Sequence, residues 1–98
     1  MRVIARRVLR EFWQRHPDAE APLKAWFAEA QIAEWNGPLA IKRRYRHASF
    51  VGDNRVIFNI GGNKYRLVVQ VNFAIGVVLI KFVGTHAEYD RIDPESIG

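Results

Sequence analysis

The chain contains no cysteine and only three histidines among its 98 residues. Without cysteine there are no disulfide bonds, no thiolate nucleophiles and no zinc sites built on sulfur. His16, His47 and His86 fall in separate segments with no paired spacing, so they give no sign of a metal site. A glycine-rich phosphate loop and a serine nucleophile elbow are missing as well. We therefore predict a protein that uses neither a metal nor another cofactor.

Long apolar segments are also absent. No run approaches the ~18 apolar residues that a membrane span needs. The first ten residues carry four arginines and no continuous apolar stretch. A secretory signal requires such a stretch, followed by a cleavage site of small residues. We therefore predict a cytoplasmic protein with no membrane association.

Acidic residues are outnumbered by basic ones, with 10 Asp and Glu against 15 Lys and Arg and a net charge of +5. The excess is clustered in the first helical region and in a short segment after residue 41, whereas the tail of the chain is acidic. A clustered basic surface favours a polyanionic partner, because each neutralised phosphate releases counterions. The cations of the short segment are Lys42, Arg43, Arg44 and Arg46.

Helical periodicity is confined to the first third of the chain. Apolar residues at spacings of three and four predict a helix from Ala5 to the break at His16-Pro17-Asp18. A second helix is predicted after Asp18, which suits an N-cap, and it ends at Asn36-Gly37-Pro38. Residues 39–47 are predicted to form a charged linker outside the core. Trp13, Trp26 and Phe27 are assigned to the core, and Trp35 is left unassigned.

Strand signals fill the remainder. Alternating apolar residues separated by turn sequences predict an antiparallel sheet of three or four strands. We therefore predict an α+β fold, in which residues 1–98 form one domain with two N-terminal helices packed on that sheet. A short edge strand is also predicted at residues 1–4. The predicted strands are 49–51, 55–60, 64–73 and 77–83.

One face of the central hairpin is predicted to be polar and to bind RNA. Arg66, Gln70 and Asn72 share one parity, and the apolar residues between them share the other. Beyond the last strand, Thr85 and Glu88 have the spacing of a capping box. That box would begin a helical turn carrying the remaining polar candidates, His86, Tyr89 and Asp90.

These side chains suit RNA cleavage, because RNA carries its own nucleophile in the 2′-hydroxyl. A protein needs only to align that hydroxyl, to stabilise the charge on the phosphorus and to move protons. Arg66 suits the phosphate, and His86 suits a proton transfer near neutral pH. Tyr89 suits stacking on a base or assistance to proton transfer. Each of these residues could instead have no role in catalysis. His86 would then be structural, Arg66 and Lys81 would be solvated strand cations, and Asp90 would form a salt bridge.

The sequence also resembles a known family. The blocks Gly52–Val56, FNIGGNKYRLVV from Phe58 and FVGTHAEYD from Phe82 closely resemble the HigB type of toxin from type II toxin–antitoxin modules, within the RelE-like superfamily. The N-terminal region RVIARRVLREFWQRHPDAEAPLKAW is similar as well. The resemblance implies a RelE-like fold and a metal-independent mRNA endonuclease that acts on translating ribosomes.

The resemblance further implies a HigA-like helix-turn-helix antitoxin, through which alone the protein would contact operator DNA. The positions that match the family blocks are Asn59, Asn63, Lys64, Arg66, His86, Tyr89 and Asp90. We assign catalysis to Arg66, His86, Tyr89 and Lys81. We assign RNA binding to Lys42, Arg43, Arg44, Arg46, Asn63, Lys64 and Asp90.

Two other functions remain open at the level of sequence. A non-cleaving ribosome- or RNA-binding module would use the same basic faces to inhibit translation. A DNA-binding regulator is the least favoured, because both helices use their apolar stripes for the core and no helix-turn-helix is apparent.

Overall fold

A five-stranded sheet lies at the centre of the computed structural model, which describes residues 1–98. β2 to β5 pair as antiparallel neighbours, and β1 pairs with β5 in parallel, so the spatial order is β1-β5-β4-β3-β2. The α+β class and the edge strand are confirmed. The upper count of four antiparallel strands is confirmed. The parallel pairing of β1 with β5 was not predicted, because two strands from opposite ends of the chain have no turn sequence between them to reveal it. The strands are β1 (Arg2–Ile4), β2 (Ser49–Val51), β3 (Arg55–Ile60), β4 (Tyr65–Asn72) and β5 (Val77–Thr85).

Four α-helices accompany the sheet, where two N-terminal helices and one helical turn after Thr85 were predicted. The segment predicted as a linker outside the core contains α3. This helix begins at Pro38, and its Ile41 side chain is completely buried. The linker prediction was therefore wrong. The segment has four cations and one fully buried side chain, too few apolar residues for a helical stripe. No helix is long and apolar enough to cross a membrane. The helices are α1 (Arg6–Arg15), α2 (Glu20–Ile32), α3 (Pro38–Arg44) and α4 (His86–Tyr89).

The main core lies between one face of the sheet and helices α1 to α3. Phe58 on β3 is at its centre, with its ring 5.4 Å from Trp26, 6.2 Å from Trp35 and 4.9 Å from Tyr45. Trp35, unassigned from sequence, is therefore a core residue. Phe27 is only partly buried, at the edge of this core.

The opposite face of the sheet is less polar than its alternation suggested. Val68 on β4 and its cross-strand partner Ile57 are both buried on this face. Arg55, two residues before Ile57 on the same face, donates hydrogen bonds to the carbonyl oxygens of Pro94 and Ile97. The C-terminal segment thus covers part of the face that was predicted to be open, and the prediction of a wholly polar face was wrong there.

Arg55 attaches this C-terminal segment to the sheet through these two hydrogen bonds, and the residue as a whole is only 6% exposed. Hydrogen bonds from a charged group contribute about 1.5–3 kcal/mol each, and loss of the buried charge offsets part of that gain. We expect Arg55→Ala to lower the free energy of unfolding by about 2 kcal/mol and to speed amide exchange at Ile97. Urea denaturation and hydrogen exchange measure both. Replacement of the exposed Arg43 on α3 by alanine is the matched control. Unchanged exchange at Ile97 in Arg55→Ala would contradict this role.

Candidate functional site

Helix α4 sits at the end of β5 because a capping box starts it. The Thr85 hydroxyl accepts a hydrogen bond from the Glu88 main-chain N–H at 3.1 Å, and the Glu88 carboxylate accepts one from the Thr85 N–H at 2.8 Å. The hydrogen bond from the Thr85 main chain lowers the pKa of Glu88, which favours the charged carboxylate that the capping box uses as acceptor. The predicted capping box is confirmed. It holds His86 and Tyr89, which are three residues apart, on neighbouring positions of one helical turn.

Arg66 reaches this turn from β4. Its cross-strand partner on β5 is Gly84, just before the capping box. One guanidinium nitrogen donates to the side-chain oxygen of Asn63 at 2.8 Å, and the guanidinium carbon lies 5.9 Å from the centre of the Tyr89 ring. A cation at this distance from a ring face is attracted to it. Arg66, Asn63 and Tyr89, all chosen from sequence, therefore lie together.

His86 is held to the same end of the sheet by its main chain and its side chain. Its main-chain N–H donates to the carbonyl oxygen of Lys64 at 3.2 Å. Its Nδ1 lies 3.3 Å from a carboxylate oxygen of Asp90, one helical turn later. The imidazole is about half exposed. Asp90 pairs with His86, and no ion pair joins it to Arg91. We define the polar end as Arg66, Asn63, His86, Tyr89 and Asp90.

Lys81, predicted to be catalytic, is not joined to the polar end by a hydrogen bond or an ion pair. It is the extra residue of a bulge in β5, where the register with β4 shifts between Val68 and Val69. Its side chain and main chain lie against Gly98 at the end of the C-terminal segment. The contacts of Lys81 are therefore with the tail.

Two of the four cations in the basic segment have internal partners, and two have none. Lys42 donates to the Ala48 carbonyl oxygen at 2.7 Å, and Arg44 forms an ion pair with Glu29. Arg43 and Arg46 are exposed and have no hydrogen-bond or ion-pair partner. Only these two of the four predicted cations are free to meet a phosphate without breaking an internal contact.

Tyr45 joins the basic segment to α2. Its hydroxyl donates to Glu29, which also binds Arg44. Burial, and then this hydrogen bond, raise the pKa of Tyr45, so the phenol remains protonated. The hydrogen bond from Tyr45, and then the hydrogen bond and positive charge of Arg44, lower the pKa of Glu29. These contacts fix the path of the chain after α3.

Asp18 has a role that the sequence analysis missed. It was predicted to cap a helix, yet its side chain makes no cap hydrogen bond. Its carboxylate instead accepts hydrogen bonds from Lys64, at 2.7 Å, and from the Tyr65 hydroxyl. This pairing explains why Lys64, predicted to bind RNA, points to the junction of α1 and α2. A separation of 46 residues leaves no local sequence signal for such a contact.

The Asp18 contacts predict a pH dependence of stability. Hydrogen bonds from Lys64, and then Tyr65, lower the pKa of Asp18 from its ordinary 3.8. A group with a lowered folded-state pKa contributes stability above its unfolded value, and that stability is lost as pH falls through the folded value. We expect the protein to be more stable than Asp18→Asn at neutral pH and this difference to shrink below pH 3.8. Urea denaturation across pH measures it, and a difference that does not vary with pH would contradict the assignment.

The structure contains no group of three or more His, Asp or Glu side chains placed to hold a metal ion. The polar end itself offers a cation, an imidazole, a phenol, an amide and a carboxylate. Together these groups can bind an anion and transfer protons.

Comparison with known proteins identifies the family. A model of HigB toxins, described as the RelE-like toxic component of a toxin–antitoxin system, matches residues 19–92. The chain belongs to the HigB toxin family. The resemblance found in the sequence blocks is thus confirmed, and the match spans α2 to α4 and β2 to β5. An mRNA interferase HigB from Escherichia coli O6:H1 (strain CFT073) is 21% identical over 94 residues, which cover 94% of this chain and 91% of that HigB protein.

Proposed function

We propose that this HigB family member is an mRNA interferase, an endoribonuclease that cuts mRNA on translating ribosomes. The observation that carries the proposal is the position of the Arg66 guanidinium, 5.9 Å from the Tyr89 ring on the short helix that also bears His86. The name of the Escherichia coli relative supports the same activity.

The proposed reaction uses the 2′-hydroxyl of the RNA as nucleophile. Its oxygen attacks the phosphorus, the bond from phosphorus to the 5′-oxygen breaks, and the products are a 2′,3′-cyclic phosphate and a 5′-hydroxyl. The attacking hydroxyl loses a proton to a base, and the leaving oxygen gains one from an acid. Arg66 binds the phosphate through its planar fork of donors and stabilises the charge that develops there.

His86 is the proposed proton-transfer group at one end of this displacement. Asp90 accepts a hydrogen bond from Nδ1 when that nitrogen is protonated, which leaves Nε2 free for the substrate. Tyr89 either stacks on a base or assists the other proton transfer. Arg43 and Arg46, as free cations, contact phosphates along the strand. Lys81 lies against the C-terminal segment, and we assign it no step in this reaction.

We also propose the partners. The family description as the toxic component of a toxin–antitoxin system supports a cognate antitoxin that neutralises this protein. We propose a HigA-like antitoxin with a helix-turn-helix domain, so that operator DNA is reached through the antitoxin alone. The net charge of +5 supports binding to RNA on the ribosome and to an acidic partner segment.

Replacement of His86 distinguishes an enzyme that cleaves mRNA from a protein that only binds the ribosome or its RNA. We expect His86→Ala to lower the cleavage rate by about 10²–10⁴-fold, the usual contribution of a general acid or base. Purified protein, translating ribosomes and a labelled mRNA measure this rate, and a reaction without ribosomes tests for ribosome dependence. Full inhibition of translation by His86→Ala, with the mRNA intact in both reactions, would instead identify a non-cleaving ribosome binder.

A further inference from the structure

A pocket with a volume of about 360 Å³ lies beside the proposed cleavage site. Tyr45, Ala48 and Phe58 form its apolar part, and none of the residues that line it is acidic. The polar part consists of exposed side chains from the loop after α3 and from the end of β3. These are Arg46, His47 and Asn59, and Arg44 and Gly62 complete the lining.

Part of the pocket is an open strand edge. β2 pairs with β3 only as far as Ile57, whereas β3 continues to Ile60. From Phe58 onward, this edge of β3 therefore has no neighbouring strand at the pocket. Main-chain N–H and C=O groups on an open edge are free to pair with a ligand. The same combination of an aromatic surface and free hydrogen-bonding groups recognises unstacked RNA bases.

The pocket adjoins the polar end through one residue pair. Asn59, whose side chain lines the pocket, is the cross-strand partner of Arg66 on the face away from the main core. Paired residues in an antiparallel sheet lie about 4.5–5.5 Å apart. A strand of RNA with one phosphate on Arg66 therefore has a neighbouring nucleotide next to Asn59.

We propose that this pocket binds the base of a nucleotide adjacent to the phosphate that is cut. The base stacks against Tyr45, the aromatic residue of the pocket that is partly exposed, His47 and Asn59 contact its polar edge, and Arg46 contacts the following phosphate. The pocket therefore sets a sequence preference at one position beside the cut. The inference rests on the proposed RNA cleavage, because it names the nucleotide subsite of that same site.

The test compares cleavage positions rather than cleavage rates. The wild-type protein, His47→Ala and Asn59→Ala are each expressed with a translated reporter mRNA, and the 5′ ends of the fragments are sequenced. The wild-type protein is expected to favour particular nucleotides at one position next to the cut. Each variant is expected to reduce that enrichment by about tenfold, the scale on which one lost contact changes discrimination. Arg10→Ala on α1, exposed and distant in sequence, is the control for replacing an exposed polar side chain away from the pocket.

The outcomes separate this inference from the proposed function. Cleavage with unchanged nucleotide preferences in both pocket variants would overturn the pocket and leave the nuclease standing. Cleavage by the wild type without any preference beside the cut would do the same. No cleavage by the wild type would overturn the proposed function itself. Circular dichroism verifies that each variant is folded, and both replaced side chains are exposed, so neither is needed for the core.

Discussion

Replacing Arg66 with alanine is expected to lower the rate of mRNA cleavage by about 10²–10³-fold, the cost of removing one donor that stabilises a transition-state charge. The guanidinium is held by Asn63 and stands over the Tyr89 ring, so it is positioned before a substrate arrives. A preorganised cation stabilises developing charge without the cost of reorganisation. Initial cleavage rates on translating ribosomes measure the effect.

Arg66→Lys separates charge from geometry at this position. Lysine keeps the positive charge and loses the planar fork that binds a phosphate through two parallel hydrogen bonds. We expect Arg66→Lys to recover only part of the lost rate. Recovery of the full rate would show that charge alone is needed, and loss of rate in the surface control Arg10→Ala would show that net charge dominates. Arg66 is partly exposed, so both variants are expected to keep the stability of the wild type within about 0.5 kcal/mol.

Phe58→Ala is expected to lower the free energy of unfolding by about 3–5 kcal/mol, as for other large aromatic residues removed from cores. Phe58 is 1% exposed and contacts the rings of Trp26, Trp35 and Tyr45. Its removal leaves a cavity between α2, the segment around α3 and the sheet. A domain of this size has about 5–15 kcal/mol of stability in total, so the variant loses a large part of it.

Phe50→Ala is the matched control for this loss. Phe50 lies on the edge strand β2 and is 39% exposed, so removal of its ring creates no closed cavity. Urea denaturation of both variants measures the contrast. Equal losses in the two variants would contradict the position of Phe58 at the centre of the core.

Features that depend on residues close in sequence were predictable. Thr85 and Glu88 are three positions apart, so their capping box is visible as a pattern. Gly61 and Gly62 both adopt positive φ at the predicted turn between β3 and β4. The same local reasoning identified Arg66, His86 and Tyr89 as candidates, since alternation in β4 and the helical turn after β5 are both short-range patterns.

Features that depend on distant residues were not predictable. The sequence pattern around Arg55 is that of an ordinary cation on a strand. Its hydrogen-bond partners in the C-terminal segment are 39 and 42 residues away. The same limit applies to Asp18, which suits an N-cap locally but binds Lys64 and Tyr65 in the folded chain. Helix α3 was missed because burial of Ile41 depends on the shape of the core rather than on a repeated apolar pattern.

The most direct test of the proposed activity is a map of the 5′ ends of a translated reporter mRNA after expression of this protein alone. The proposed function predicts new ends inside the reading frame, which disappear when the start codon is removed and when Arg66 is replaced by alanine. Arg10→Ala is expected to retain them. Growth arrest with intact mRNA, or the same new ends with Arg66→Ala as with the wild type, would contradict RNA cleavage at the polar end.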